Sequence, residues 1–272
     1  MDVKGSNLDY LLDNDQEPLR LERQAQIYGF GDDLRHLALS GAERVLDAGC
    51  GAGVITRAAC RALPRGIAIG VDREPRYIEH ARSAAAAEQI GNVEFRVADV
   101  LCLPFANGTF DVLWSKHLLQ WVKDRDAAIA EFKRVVRSGG RVICCNFDGL
   151  WANPYPADSV LQGDLDLWFA AMEAEVGYDR FLGRKLASML SCAGLVDVRV
   201  DFIPDRAYGG YGGDREKRWN WERQWASMLE FSARVYGSID RAKDVGQRLI
   251  SEFGRADVYW FCTLFYVEGR VP

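Results

Sequence analysis

Residues 44–53 read Arg-Val-Leu-Asp-Ala-Gly-Cys-Gly-Ala-Gly, and no other stretch narrows the possible folds as far. A short apolar strand, Val45-Leu46, runs into Asp47. Three glycines follow at alternate positions, Gly49, Gly51 and Gly53, and a helical pattern starts at Val54. Strand, glycine turn and helix N-terminus make a cradle for a nucleotide-like ligand, because the first N–H groups of a helix lack intrahelical partners. Glycine lets that backbone take φ > 0 and approach a ligand with no Cβ in the way. A dinucleotide fingerprint, Gly-x-Gly-x-x-Gly, would put its last glycine one place later, and Val54 stands there.

From this point strand and helix patterns alternate. Strands are predicted over Arg44–Asp47, Ile67–Asp72, Val93–Val97, Phe110–Ser115 and Arg141–Phe147. Between them lie helices over Val54–Leu63, Pro75–Gln89 and Asp126–Arg137, closed by Pro64, Gly91 and Gly139-Gly140. Apolar strands separated by helices imply a sheet buried on both faces. Upstream, Leu19–Tyr28 and Asp32–Leu39 read as helices. Downstream the pattern gives helices over Asp158–Gly177 and Arg180–Ala193, a strand over Val196–Ile203 and a flexible loop at Gly209–Gly213. One or two helices follow over Arg215–Phe253, then a final strand over Val258–Val267. The expected fold is α/β: a doubly wound, seven-stranded, mainly parallel sheet with helical cap insertions. Residues 1–40 would form an N-terminal helical lid and 41–150 the ligand-binding core. Residues 151–272 would complete the sheet and carry insertions at about 154–193 and 214–254.

The pattern Asp-x-Gly-x-Gly-x-Gly resembles motif I of the class I S-adenosylmethionine-dependent methyltransferases. The resemblance covers about Gly41 to Phe147 and continues through the last two strands by order of elements only. It implies a Rossmann-like fold, S-adenosylmethionine as cofactor and S-adenosylhomocysteine as product. Asp47, Gly49, Gly51 and Gly53 would form the cofactor cradle. An acid about 20 residues past the glycines is where a ribose finds its partner, and Asp72 has that place. The resemblance gives it the same role and sets Arg73 beside the adenine. A helix N-cap before Pro75 is the competing use of Asp72. Asp99 and Val100 match the family positions that meet the adenine amino group and a ring nitrogen, while a turn role also suits Asp99.

Leu103-Pro104-Phe105 and Gly108–Asp111 look like a segment of small-molecule and ubiquinone-type methyltransferases, with Asp111 structural. Val136–Gly140 matches the family's turn before strand five, Ser138 standing for the usual proline. In open α/β sheets ligands bind beyond the carboxyl ends of the strands. Ser115 to His117 therefore border the methionine part of the cofactor and the acceptor, and His117 is the candidate general base. Arg20, Gln24 and Tyr28 share one helix face. The resemblance makes Arg20 and Gln24 candidates for the cofactor carboxylate, and a solvated polar stripe explains them equally well. Aromatics gather after strand five, Trp151, Tyr155, Trp168, Tyr211, Trp221 and Trp225 among them. They suggest a pocket for a flat or apolar small molecule, although most must pack on one another.

A net charge of −5 without a basic patch argues against nucleic acid. No run approaches the ~18 apolar residues of a membrane span, and the N-terminus has no apolar signal core. The seven scattered cysteines lack metal-ligand spacing, so no metal is expected. These readings favour a cytosolic enzyme acting on a small molecule, and a homo-oligomer is allowed but not required. The competing functions are a protein of this fold that binds the cofactor without methyl transfer and a protein-modifying methyltransferase. A nicotinamide dehydrogenase is disfavoured by the glycine spacing and by the lack of a Tyr-x-x-x-Lys pair near strands four and five.

Overall fold

The structure, a computed structural model, describes residues 14–150, 154–208 and 215–272, with 205–208 described by backbone alone. The predicted loop at 209–213 and the aromatics Trp151 and Tyr211 lie outside the described residues. Seven strands form one sheet: β1 (Arg44–Ala48), β2 (Ile67–Asp72), β3 (Val93–Val97), β4 (Phe110–Lys116), β5 (Val136–Asp148), β6 (Val196–Tyr208) and β7 (Tyr259–Arg270). Their spatial order is β3-β2-β1-β4-β5-β7-β6. Neighbours from β3 to β5 pair in parallel, and β7 is antiparallel to both β5 and β6. The chain order reverses between β1 and β4, which opens a crevice at their carboxyl ends.

Alternation along each strand sends side chains to two apolar layers. Leu46, Leu113, Val142 and Cys144 face α5 (Arg125–Val135) and α7 (Leu186–Cys192). Val45, Val112, Ile143 and Cys145 face α2 (Gly31–Leu37) and α3 (Val54–Arg61). The adjacent cysteines thus point to opposite faces. A third layer is the cap, built by α6 (Ser159–Val176), α8 (Arg215–Ser227), α9 (Leu229–Tyr236) and α10 (Ile239–Phe253). Trp168 stacks on Trp225 inside it at 5.5 Å, and Phe231, Val245 and Leu249 close around them. The remaining helices are α1 (Glu17–Tyr28), lying over the crevice, and α4 (Pro75–Ala87).

Several boundaries differ from the sequence pattern, two of them for a clear tertiary reason. The helix expected to end at Arg137 stops at Val135, because Val136 pairs with Phe110 and enters the sheet. The helix expected from Arg180 begins at Leu186. Gly183 lies against β7, where a Cβ would come 2.7 Å from the Phe265 ring, and the Arg184 N–H donates to Asp148 at 2.8 Å. The helix α7 also packs on the sheet and not in the cap, so the first insertion reduces to α6. The stretch 215–253 is three helices. Gly237, at φ 78°, ends the second, and the Ser238 hydroxyl accepts from Arg241 N to cap the third.

Candidate active site

A cavity of about 680 Å³ opens at the carboxyl ends of β1, β2 and β4. Its floor is the glycine loop. Gly49 and Gly51 sit at φ 76° and 51°, in the left-handed region that side chains disfavour. A Cβ on Gly49 would come 2.8 Å from Leu118, and one on Gly51 3.0 Å from Leu21 of α1. Gly53 takes φ 73° as well, but it lies off the cavity wall. Its Cα faces Phe95, 2.6 Å from where a Cβ would be, so its place is in the packing of the loop on β3 and α4.

Two acids at the strand ends line the cavity. Asp47 accepts from the Thr56 hydroxyl at 2.6 Å. Burial, reinforced by the nearby Asp72 and Asp33, pushes its carboxyl up to about 7. Asp72 accepts from Gly51 N at 2.9 Å and Glu74 N at 3.1 Å. Burial raises its carboxyl too, and those two N–H groups oppose the rise. The Glu74 contact is the turn-forming use of Asp72, and it leaves the residue on the wall with Arg73 beside it. Beyond β3, Asp99 and Val100 also line the wall, and Asp99 Oδ1 holds the turn by accepting from Leu101 N at 2.9 Å.

At the end of β4 the expected residues separate. Trp114, Lys116 and His117 line the cavity, whereas Ser115 falls on the opposite face of the strand and is buried off the wall. His117 takes φ 56°, its N–H donates to Cys145 O at 2.9 Å, and its ring stacks on Phe147 at 4.5 Å. Burial, with a smaller contribution from Lys116, holds the imidazole well below its ordinary range, so it is neutral at pH 7. Its Nδ1 is buried without a hydrogen-bond partner, and the residue lines the cavity.

The roof is made by α1 and α8. Leu21, Gln24 and Tyr28 of α1 and Trp221 of α8 face the cavity. Arg20 does not. Its guanidinium is bound by Glu17 at 2.5 and 2.7 Å, Gln24 Oε1 at 3.1 Å and Asn220 Oδ1 at 2.6 Å. Glu17, one turn earlier on the same helix, captures the charge that the sequence pattern offered to a cofactor, and the result is a buried tie between the roof helices.

The other half of the cavity is aromatic. Of the described cap aromatics only Trp221 reaches it, while Trp168 and Trp225 pack in the cap core and Tyr155 is exposed. The rest of the aromatic wall comes from Tyr28, Phe30, Trp114, Trp121, Phe147 and Tyr266, none of which the sequence pattern marked as pocket-lining. A buried carboxylate, Asp33, stands beside them. It accepts from Lys116 Nζ at 2.7 and 2.8 Å and from Tyr266 Oη at 2.9 Å. Asp111 binds Arg44 N and Arg137, and Asp148 binds Arg184, so both acids serve the framework. Among the described residues no helix is long and apolar enough to cross a membrane.

The cavity fits a cationic, nucleoside-bearing cofactor. Seven carboxylates line it against three cations, and the buried acids raise one another's affinity for protons, which marks a negative potential. Comparison with known proteins agrees. A family model described as a methyltransferase domain matches residues 39–208. An uncharacterized methyltransferase of Schizosaccharomyces pombe is 33% identical over 208 residues, covering 74% of this chain and 71% of the relative. A ubiquinone/menaquinone biosynthesis C-methyltransferase of Desulfotalea psychrophila is 30% identical, over 58% of this chain and 68% of its own length. Several other curated relatives are matched over only 29–40% of their length. Among solved structures, a Haemonchus contortus phosphoethanolamine N-methyltransferase in complex with S-adenosylhomocysteine shares the fold. Its TM-score is 0.64 at 16% identity, over 99% of this chain and 61% of that one.

Proposed function

Because the chain belongs to the class I S-adenosylmethionine-dependent methyltransferases, we propose that it methylates a small, unphosphorylated, aromatic or apolar acceptor by in-line displacement. One observation carries this reading: the acidic glycine-loop half and the aromatic half are parts of one roofed cavity, joined at His117 and Leu118. When bound, the cofactor supplies a methyl group made electrophilic by its sulfonium. The protein then has to hold donor and acceptor in line and exclude water. Asp72 is placed to accept the ribose hydroxyls. Asp99 and Val100 flank the adenine side with Arg73. Gly49 and Gly51 allow the methionine part to approach the backbone, and Asp47 supplies negative charge near its cationic groups. His117, neutral and on the cavity wall, would hydrogen-bond the acceptor.

The electrostatics argue against a phosphorylated acceptor. A phosphate handle calls for a cluster of cations. The cavity cations are Arg73 beside Glu74, Lys123 beside Asp124 in the chain, and Lys116 held by Asp33. The relative named for quinone biosynthesis supports a ring acceptor. The roof of α1 and α8 weighs against a protein substrate. The test is methyl transfer from isotopically labelled S-adenosylmethionine to three sets of compounds: neutral phenols and quinols, phosphorylated amines, and intact proteins. Labelled product from the first set is the expected result. Label on phosphorylated amines or proteins would refute the acceptor class, and cofactor binding with no product in any set would favour a non-transferring binder.

A further inference from the structure

We infer that Lys116 holds the oxygen of the acceptor, and that the acceptor is therefore a ring or enolic hydroxyl compound bound as its oxyanion. The inference rests on the aromatic half of the cavity being the acceptor site. Three elements converge on it: Asp33 from α2, Lys116 from β4 and Tyr266 from β7. An ammonium has three N–H donors. Two contacts, at 2.7 and 2.8 Å, go to Asp33, and among the described residues the third donor has no protein partner. Of the pair, Lys116 keeps the open surface, its side chain being 23% exposed against 2% for Asp33. Tyr266 donates to Asp33 from behind and is itself fixed by the His36 ring, stacked at 3.8 Å. His36 is anchored by Asp32 O at 2.7 Å and Asp201 at 2.9 Å. A buried ion pair is a poor way to gain stability, whereas a fixed cation in an aromatic chamber is a good way to bind an oxyanion.

The groups around Lys116 leave it as the positive member nearest a ligand. Asp33 and Asp32 face it from α2, His117 follows it on β4, and Cys145 and Tyr266 face it from β5 and β7. Burial raises the Cys145 thiol and the Tyr266 phenol and lowers His117, so all three stay neutral at pH 7. Asp33 subtracts from the lysine's field, but its side chain is almost wholly buried and the lysine is the more exposed member of the pair. Ionisation of the acceptor hydroxyl gives its proton to bulk water, and the Lys116 N–H receives the oxyanion.

The experiment titrates 4-nitrophenol, by the visible absorbance of its phenolate, in the presence of the full-length protein with and without S-adenosylhomocysteine. The bound dye is expected to ionise about one pH unit below the free dye. The shift should vanish in Lys116→Met, persist in Lys116→Arg and grow in Asp33→Asn. The double variant Asp33→Asn/Lys116→Met carries no unpaired buried charge, so it reads the loss of the lysine even where Lys116→Met fails to fold. An unshifted dye, the same shift in the double variant, or no saturable dye binding would overturn the inference. Loss of S-adenosylhomocysteine binding, measured by calorimetry on the same samples, would instead count against the cofactor reading.

Discussion

Asp72 shows how one side chain serves two ends. Its carboxylate closes the β2 turn through Glu74 N and holds the glycine loop through Gly51 N. Removing it takes away the loop's tether and, in the proposed cofactor site, the acceptor for the ribose. Asp72→Ala should weaken S-adenosylmethionine binding by about ten- to a hundredfold, the worth of one or two hydrogen bonds to a charged group, as read by calorimetry. Asp47 gives a pH prediction of definite sign. Its folded pKa, about 7, lies above the ordinary 3.8. The unfolded chain then holds fewer protons between those values, and stability contributed by Asp47 is present below about pH 4 and lost as pH rises through 7. The cofactor-free protein should melt at lower temperature at pH 7 than at pH 5 on this account, and Asp47→Asn should flatten that slope in a melting series. The glycines and Asp47 were legible in the sequence because they belong to one strand–turn–helix unit, and Asp72 because of its spacing from them. The Asp33–Tyr266 bond was not, because it joins positions 233 apart that no local pattern relates.

Elements were read well where a strand or helix answers to its own pattern, as β2 and β3 do. They were misjudged where a neighbour decides, as at Val136 and Gly183. The cap helices give the same lesson. Aromatic clustering after β5 suggested a ligand pocket, yet burial sends most of those rings into the cap's own core. The pocket draws its rings from α1, β4, β5 and β7 instead. In that cap core α10 crosses α8 at Gly246, where a Cβ would fall 2.1 Å from Trp225 Nε1. Trp225 cannot withdraw, because its Nε1 donates to Ala242 O at 3.1 Å and its ring stacks on Trp168. Gly246→Ala should therefore destabilise the protein by about 1–3 kcal/mol, despite better helix propensity, as measured by chemical denaturation. Between the roof helices, Asn220→Ala should leave the Arg20–Glu17 pair intact while loosening α1 from α8. Faster release of S-adenosylhomocysteine, followed by stopped flow, is the expected outcome.

Across the described residues the buried apolar side chains fall into separate groups: two layers on the faces of the sheet, a small cluster between α4 and β3, and one within the cap. Separate cores open separately when little else joins them. Hydrogen exchange should show α6, α9 and α10 opening at lower free energy than β1, β4 and β5. Added cofactor should slow exchange in α1 and the glycine loop while leaving α9 and α10 unchanged. Uniform protection of the whole cap on cofactor binding would argue that cap and sheet act as one unit.

The tie from Arg20 to Asn220 spans 200 residues. During synthesis α1 leaves the ribosome long before the asparagine that secures it, and by then β1 to β5 with their glycine turn have already emerged. A nascent chain passes through a stage in which the ledge for the nucleoside exists and nothing covers it. The enclosed chamber is thus a late acquisition of translation: its roof waits for α8, and its wall for Tyr266 of the last strand.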